Sequence, residues 1–405
     1  MRLGVRRPLR PWARVAGLMF GVGWGANQFS SLLLAYRIHR GVSETTADAL
    51  FGVYALGLIP ALLIIGPISD RRGRRASVIG AGVVSLLASL ALIAGDHALG
   101  LLYLGRFFAG VGSGAAFAAG TAWVKELSGP PHDLAAGEQA GARRAAIALS
   151  AGFGLGPLVA GLIAQWAPDA LISAYLPHLV VIAVALAVVV AAPETVGEAN
   201  GGRRLSVPAS ARHMRFLLIV LPSAPWVFLA PSVSFAVLPG LVTHSTEGFR
   251  VGFAALIAAV TLGVGILIQP LARRLDRTPD VRGMVAGLAA IAAALLLGAL
   301  AAHAHEWPLV VPAGVLFGAG YGLCLVSGLL EVQRLSPPDE LASITAIFYA
   351  LTYVGFAAPI ALSELEHLAA AATLLLGATA LAIVTALTVL AAQARYPAVA
   401  TRSPS

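Results

Sequence analysis

The feature that most constrains the fold of this chain is a series of apolar segments, each about 20 residues long, separated by short charged loops. A helix of that length crosses the hydrocarbon layer of a bilayer, which is roughly 30 Å thick. Backbone polar groups in lipid must be bonded internally, so each segment is predicted to be a transmembrane helix. Twelve spans, numbered in chain order, are predicted at Arg14–Tyr36, Thr46–Pro67, Ala76–Gly95, Gly100–Val124, Arg144–Trp166, Ala174–Pro193, Arg215–Gly240, Phe249–Leu271, Gly283–Ala302, Pro308–Leu330, Leu341–Ser363 and Leu368–Gln393.

The composition favours an integral membrane protein. Charged residues make up 11% of the chain, whereas a soluble protein carries about 25%. The net charge of +8 is not interpreted as a nucleic-acid surface, because the charges fall in short clusters between apolar segments. Cys324 is the single cysteine, so no intrachain disulfide is possible. The sequence shows no metal-type cluster and no nucleophile–base pair, so neither an enzyme nor a bound metal or cofactor is expected.

The basic residues predict the orientation. With an even number of spans, 23 of the 27 lysines and arginines fall on the side of the two termini. Arg37, Arg40 and Arg250 fall on the opposite side, and Arg106 lies within span 4. Cytoplasmic loops carry the excess of Lys and Arg, so both termini are predicted to be cytoplasmic in a cell membrane. One lysine against 26 arginines, with abundant alanine, indicates a GC-rich bacterial genome.

The longest break in hydrophobicity divides the chain into two predicted halves. Residues 1–193 form a six-helix half, 194–213 a cytoplasmic linker, and 214–405 a second six-helix half. The segment from Gly66 to Arg72 aligns with Gln269-Pro270-Leu271-Ala272-Arg273-Arg274-Leu275, and each follows the second span of its half. The second copy is degenerate, because Arg273 stands where Asp70 does.

The loop between spans 2 and 3 carries the most specific motif. Its sequence resembles the Gly-x-x-x-Asp-Arg-x-Gly-Arg-Arg/Lys loop of the major facilitator superfamily. The matching residues are Gly66, Asp70, Arg71, Gly73, Arg74 and Arg75. The resemblance implies an all-α fold of twelve helices in two pseudo-symmetric halves, and alternating-access transport of a small solute. It also implies that Asp70 helps to hold the cytoplasmic gate closed. We expect a monomer.

Span 5 carries a second similarity to this family. Gly152, Gly156, Pro157 and Gly161 resemble the family's antiporter motif, Gly-x-x-x-Gly-Pro-x-x-Gly-Gly, with Ala160 in place of one glycine. Two interpretations remain open. The motif is typical of antiport-type efflux, but small residues at this spacing also allow ordinary close packing of helices.

Spans 1, 4, 7 and 10 are predicted to surround a central pathway. They contain 22 Gly and Pro residues, against 9 in spans 3, 6, 9 and 12, which are predicted to face lipid. Irregular backbone at membrane depth is tolerated where it is buried or lines a cavity. Span 7, with four prolines, is either a broken cavity-lining helix or a kinked structural one. The candidate cavity residues are Trp24, Asn27, Gln28, Ser31, Trp226, Phe228, Phe235 and Tyr321.

Arg106 is the one basic residue predicted inside a span. Its depth of about 9 Å from the outer face is close enough to the roughly 12–14 Å of Asn27 and Gln28 for its guanidinium to meet their side-chain amides. The alternative is a side chain that snorkels outward. Many drug–proton antiporters of the family carry an acidic residue in the first helix, where this chain has those two amides. Acidic residues occur only near span ends, as Asp48 does, so protons remain one possible coupling ion.

These patterns predict a secondary transporter of a small molecule. Efflux of an apolar or amphipathic compound is favoured, on the span 5 motif and the aromatic residues of span 7. Uptake or facilitated diffusion of a small polar solute is the alternative within transport. A non-transporting membrane sensor on the same fold is the alternative of another class, and the intact loop at Gly66–Arg75 argues against it.

Overall fold

The computed structural model describes residues 9–137, 140–196, 208–276, 280–337 and 340–397. Helices and their connecting turns make up this described part, which contains no β-strand. Eleven helices in it are long and apolar enough to cross a membrane. Their bounds are Glu44–Arg72, Arg74–His97, Leu99–Leu127, Ala140–Trp166, Ala170–Val189, Phe216–Leu241, Arg250–Leu275, Arg282–Ala304, Trp307–Leu335, Ser343–Leu365 and Ala371–Arg395.

Span 1 is the remaining predicted span, and it is interrupted. One helix covers Pro11–Asn27 and the next covers Phe29–Arg40, with a turn at Gln28 between them. The two pieces have 17 and 12 residues, so neither alone reaches the length of a spanning helix. The described chain therefore contains all twelve predicted segments, and the fold class is confirmed. Most helices extend a few residues beyond the predicted ends; span 10, for example, continues to Leu335, so Glu331 lies within it.

Irregular backbone is concentrated in a few spans. Span 4 contains a π-helical turn at Ala116–Gly120, and span 7 contains two, at Phe216–Val220 and Val233–Val237. Proline lacks a backbone donor and disturbs the helical bond pattern, which accounts for the broken form of span 7. Span 10 is an unbroken α-helix over Val310–Leu335, although it was predicted to belong to the same irregular set.

Burial largely follows the predicted sorting of the spans. In spans 4 and 7, 61% of the most apolar stretch is buried, against 44%, 33% and 22% in spans 3, 6 and 12. A helix with so many exposed apolar side chains is stable in lipid, where no water needs to be excluded from it. Span 9 departs from the prediction, because 56% of its apolar stretch is buried, as in span 10.

By packing, the chain forms two compact units that differ from the two predicted sequence halves. Unit 1 contains the described residues of Met1–Gln28, Leu56–Gly156 and Tyr175–Arg204. Unit 2 contains those of Phe29–Ala55, Pro157–Ala174 and Leu205–Ser405. Unit 2 therefore combines spans 7–12 with parts of spans 1, 2 and 5 and the start of span 6. The linker predicted at 194–213 lies mostly outside the described residues, since 197–207 are not described.

Candidate functional site

The loop between spans 2 and 3 is a tight connection built around Gly73. Span 2 ends at Arg72 and span 3 begins at Arg74, so a single residue reverses the chain. Gly73 has φ of +104°, a conformation that side-chain-bearing residues rarely adopt. A Cβ at this position would also lie 2.5 Å from a carboxylate oxygen of Glu194. This geometry explains why the motif has glycine here.

Glu194 caps the N-terminus of span 3. Its two carboxylate oxygens accept the backbone N–H groups of Arg74 and Arg75, each at 2.9 Å. The first N–H groups of a helix have no partner within the helix, and the positive end of the helix dipole favours an anion there. Desolvation opposes the charged form of Glu194, but backbone N–H donors from Arg75, Thr195, Val196 and Arg74 outweigh it, so the pKa of Glu194 lies below its ordinary value.

Arg74 is the centre of a charged network at the same loop. Its guanidinium pairs with Asp70 one turn earlier and donates to the Ser69 hydroxyl at 2.7 Å. It also donates twice to Glu126 at the end of span 4, at 3.0 and 3.1 Å. The Thr195 hydroxyl donates to the other oxygen of Glu126. The pair between Asp70 and Arg74 joins two residues of the predicted loop motif.

The network ties the ends of spans 2, 3, 4 and 6 together within unit 1. Arg75 contributes by donating to the backbone carbonyl of Val190 in span 6. Gly66 lies further up span 2, where a Cβ would meet the Ala118 side chain at 3.6 Å, an ordinary contact. Glu126 and Glu194 are missing from the predicted site. The available signal was that each is an acidic residue within two positions of the end of a predicted span.

The loop between spans 8 and 9, which corresponds to this loop in the second repeat, is stabilised by different contacts. Asp276 accepts the backbone N–H of Gly283 at 2.8 Å and so caps span 9 from within the loop itself. Arg334 of span 10 donates to the carbonyls of Asp276 and Asp280. Glu331 pairs with Arg215 at 2.5 Å, and both side chains are 2% exposed. This buried pair joins spans 7 and 10 within unit 2.

Arg106 lies inside the protein. Its side chain is among the largest that are fully buried, so it does not snorkel outward. One Nη atom donates to the carbonyl of Ala26 at 3.2 Å, in the last turn before the break in span 1. The amide nitrogen of Asn27 donates to the carbonyl of Phe153 in span 5, at 2.9 Å. Arg106 therefore reaches the backbone beside Asn27 and Gln28. Contact of its guanidinium with the two side-chain amides stays a prediction.

A buried histidine beside the same break was not predicted. His178 of span 6 is 0% exposed, and its Nε2 lies 3.1 Å from the carbonyl oxygen of Gly21. A carbonyl only accepts, so Nε2 carries the proton and Nδ1 accepts from the Ser89 hydroxyl at 2.8 Å. Ser89 in turn accepts from the Gln28 amide at 3.0 Å. Hydrogen bonds thus link span 6, span 3 and the break in span 1.

The span 5 motif packs span 5 against span 1. A Cβ at Gly152 would lie 2.2 Å from the Phe20 carbonyl oxygen, and one at Gly156 would lie 2.6 Å from the Trp24 carbonyl oxygen. In unit 2, the Ser31 hydroxyl donates to the carbonyl of Pro157 at 2.7 Å.

Gly161 completes this packing in unit 2. A Cβ there would lie 2.5 Å from the Ala255 side chain and 2.9 Å from that of Ser31. These contacts account for the small residues of the motif by close helix packing. They leave antiport-type efflux as a prediction.

Unit 2 contains an aromatic cluster on spans 2, 7, 10 and 11. Phe228 is at its centre: its ring stacks on Tyr353 at 4.5 Å and lies 5.2 Å from Phe356 and 5.8 Å from Tyr321. Phe356 also lies 5.0 Å from Phe51 and 5.9 Å from Tyr54 of span 2. The aromatic cluster consists of Phe51, Tyr54, Phe228, Tyr321, Tyr353 and Phe356.

The other predicted cavity residues lie elsewhere. Phe235 extends the edge of the aromatic cluster by contacting Phe51 at 6.1 Å. Trp226 donates to the Thr385 hydroxyl of span 12 at 3.3 Å. Trp24 packs edge-on against Phe20 at 5.8 Å in unit 1. Of the eight predicted residues, Phe228 and Tyr321 are thus in direct ring contact in one cluster.

The chain is similar to solved transporters over nearly its whole length. A POT family transporter crystallised with 5-aminolevulinic acid aligns with a TM-score of 0.78 at 16% identity, covering 95% of this chain and 96% of that one. The nucleoside transporter NupG aligns with a TM-score of 0.73 at 13% identity, covering 94% and 98%. At these identities the similarity establishes the fold.

Sequence comparison identifies the family. The multidrug resistance protein MdtL of Klebsiella pneumoniae strain 342 is 36% identical over 86 residues, which are 21% of this chain and 22% of that protein. MdtL of Klebsiella pneumoniae subsp. pneumoniae is 31% identical over 86 residues. The match thus spans about a fifth of the length of these relatives. The sequence profile of the Major Facilitator Superfamily matches residues 14–359. The chain therefore belongs to the Major Facilitator Superfamily, whose fold and family features are those of membrane transporters and not of enzymes.

Proposed function

We propose that this transporter exports a small apolar or amphipathic compound by alternating access. The observation that carries the proposal is the aromatic cluster of unit 2. Six of its ring pairs have centroids between 4.5 and 5.9 Å apart around Phe228 and Phe356. Such rings offer a large, rigid apolar surface to a planar or apolar solute at a small cost in side-chain entropy.

The broken form of span 7 supports the same assignment. Phe228 lies in the short helix Trp226–Ser232, directly before the π-helical turn at Val233–Val237. In transporters, discontinuous helices at membrane depth mark the places where substrates bind. The partial similarity to the MdtL proteins, which are named for multidrug resistance, agrees with export.

We propose further that the protein resides in a bacterial cell membrane with both termini in the cytoplasm, and acts as a monomer. The asymmetric distribution of lysine and arginine supports this orientation, because cytoplasmic loops carry the excess of basic residues. The side that carries the loops after spans 1, 7, 9 and 11 is then the outer side. The division into six-helix halves at 1–193 and 214–405, joined by 194–213, remains our proposal for the sequence repeat.

Dye transport into inverted membrane vesicles tests the function. Vesicles that contain the protein should accumulate ethidium and Nile red, an amphipathic cation and a neutral aromatic dye, above vesicles without it. Dissipating the imposed proton gradient with nigericin should reduce the accumulation if protons are the coupling ion. Transport of a labelled dipeptide or of uridine, with no transport of either dye, would contradict the proposal and favour uptake of a small polar solute.

A further inference from the structure

Asp48 is a carboxylic acid buried near the outer end of span 2. It is 5% exposed and lies in the second turn of the helix that begins at Glu44. A carboxyl group that is removed from water loses the hydration of its charged form, so that form is disfavoured unless neighbours replace the lost hydration. The groups around Asp48 therefore decide whether it carries a charge.

Those neighbours do not supply a dedicated positive partner. Arg37 of span 1 is the cation that acts on Asp48, but its guanidinium pairs with Glu44 at 2.6 Å. Glu44 and, beyond span 11, Glu366 act on Asp48 as like charges. Ser363 of span 11 is a polar neighbour of the carboxyl group, and its hydroxyl donates to the carbonyl of Ile360 at 3.1 Å. Asp48 and Glu44 thus compete for Arg37. Binding a proton to Asp48 removes its repulsion with the other acids and the free-energy cost of burying its charge.

A small cavity lies directly beside this carboxyl group. Its volume is about 10 Å³, which is space for roughly one water molecule. Asp48, Arg37 and Ser30 provide its polar lining, and apolar residues of spans 7 and 8, including Phe235 and Pro239, provide the rest. Spans 1, 2, 7 and 8 are therefore packed closely around Asp48, and a charged carboxylate here could be hydrated by about one water.

We propose that Asp48 is a proton-binding site that controls whether the outer ends of spans 1 and 2 stay packed against spans 7 and 11. The proposal rests on the alternating-access function proposed above. With the proton bound, Asp48 is neutral, and the outer ends of spans 1 and 2 stay packed against spans 7 and 11. When the outer ends separate, water reaches the carboxyl group, which releases its proton to that water and becomes charged. Closing again requires a proton from the outer side, so a lower outer pH favours the closed outer end.

Distance measurement between two spin labels tests this directly. The labels are placed on cysteines at His39 and Leu368, both exposed at the outer side, after Cys324→Ser has removed the single native cysteine. The purified protein is frozen without substrate at about pH 5 and about pH 8, on either side of the range that a buried carboxyl group can reach. The separation in the unsubstituted background should be short at low pH and longer at high pH.

Three variants give the experiment its controls. Asp48→Asn imitates the protonated group, so the separation should stay short at both pH values. Glu44→Gln frees Arg37 to stabilise a charged Asp48, so the transition should move to lower pH. Glu247→Gln, an acid on the outer side whose side chain is 77% exposed, should behave like the background. A background with no pH-dependent change, or an Asp48→Asn protein that still lengthens at high pH, would overturn the proposal. The spin-label experiment contains no substrate, so its failure would not by itself contradict export. The dye assay tests export independently.

Discussion

Arg74 and Glu126 form a charged pair in which two guanidinium nitrogens donate to one carboxylate oxygen, at 3.0 and 3.1 Å. The pair joins the first residue of span 3 to the end of span 4. Asp70 holds the same guanidinium from span 2. Arg74 is 12% exposed, whereas Asp70 and Glu126 are 45% and 34% exposed, so water reaches the two acids. A partly exposed network of this kind can be broken and rebuilt during a conformational cycle at moderate cost.

Neutralising Asp70 should slow transport without removing the protein from the membrane. Asp70→Asn keeps the size of the side chain but removes the charge that holds Arg74. We expect dye transport to fall at least about tenfold, equivalent to about 1.4 kcal/mol on the conformational balance. Transport is compared at matched protein levels with Asp96→Asn, which changes an acid at the opposite end of span 3, outside this network. Full activity of Asp70→Asn would mean that the loop serves only to orient the chain.

The cap on span 3 should make stability depend on pH through Glu194. The folded pKa of Glu194 lies below its ordinary value, so its stabilising effect is complete above that value and is lost as the pH falls through the folded pKa. We expect Glu194→Gln to lower the stability by about 1 kcal/mol near pH 7, the usual cost of losing a cap. The difference in melting temperature from the native protein should shrink towards about pH 4, and a pH-independent difference would contradict the assignment.

Replacing Arg106 should impair transport with either alanine or lysine. Alanine removes the bond to the Ala26 carbonyl and leaves that buried carbonyl short of a donor, and lysine cannot reproduce the planar arrangement of donors. We expect at least about a tenfold loss of transport for both variants. Arg282→Ala, which removes an arginine that is 73% exposed, is the matched control. Full transport by Arg106→Lys would refute a role for the guanidinium geometry.

The aromatic cluster should determine affinity for aromatic dyes. Phe228→Ala removes the ring that contacts Tyr321, Tyr353 and Phe356, and we expect the apparent KM for Nile red to rise about tenfold. Trp226→Ala, two residues earlier in the same helix but directed at Thr385, should change that KM much less. Equal effects of the two substitutions on KM would indicate general damage to span 7 instead of lost substrate contacts.

The topology can be tested with reporter fusions. Fusions after Gly73, Gly201 and Arg402 should report the cytoplasm, and fusions at Gly248 and His305 should report the outer side. Gly201 and Arg402 lie outside the described residues, whereas the other three lie between spans. A cytoplasmic signal at His305 would contradict the count of twelve spans.

Much of the fold was predictable from the sequence because the bilayer imposes a simple rule. A segment of about 20 apolar residues must be helical in lipid, whatever surrounds it. The twelve spans, the tight loop at Gly73 and the partnership of Asp70 with Arg74 follow from residues that are close together in the chain. The turn at Gly73 needs only a residue that tolerates positive φ, which is a local property.

The tertiary structure decided which distant residues meet. Glu126 and Glu194 complete the network of Arg74 from 52 and 120 residues away, and His178 reaches Gly21 across 157 residues. Hydropathy cannot show these contacts, because it reports how apolar a segment is and not which side of a helix faces which neighbour. Contacts between distant parts of the chain also place Asp48, a residue of the first sequence half, in unit 2. Sequence alone thus determined what crosses the membrane, and packing decided which polar groups are buried together, because burial depends on partners brought in from distant parts of the chain.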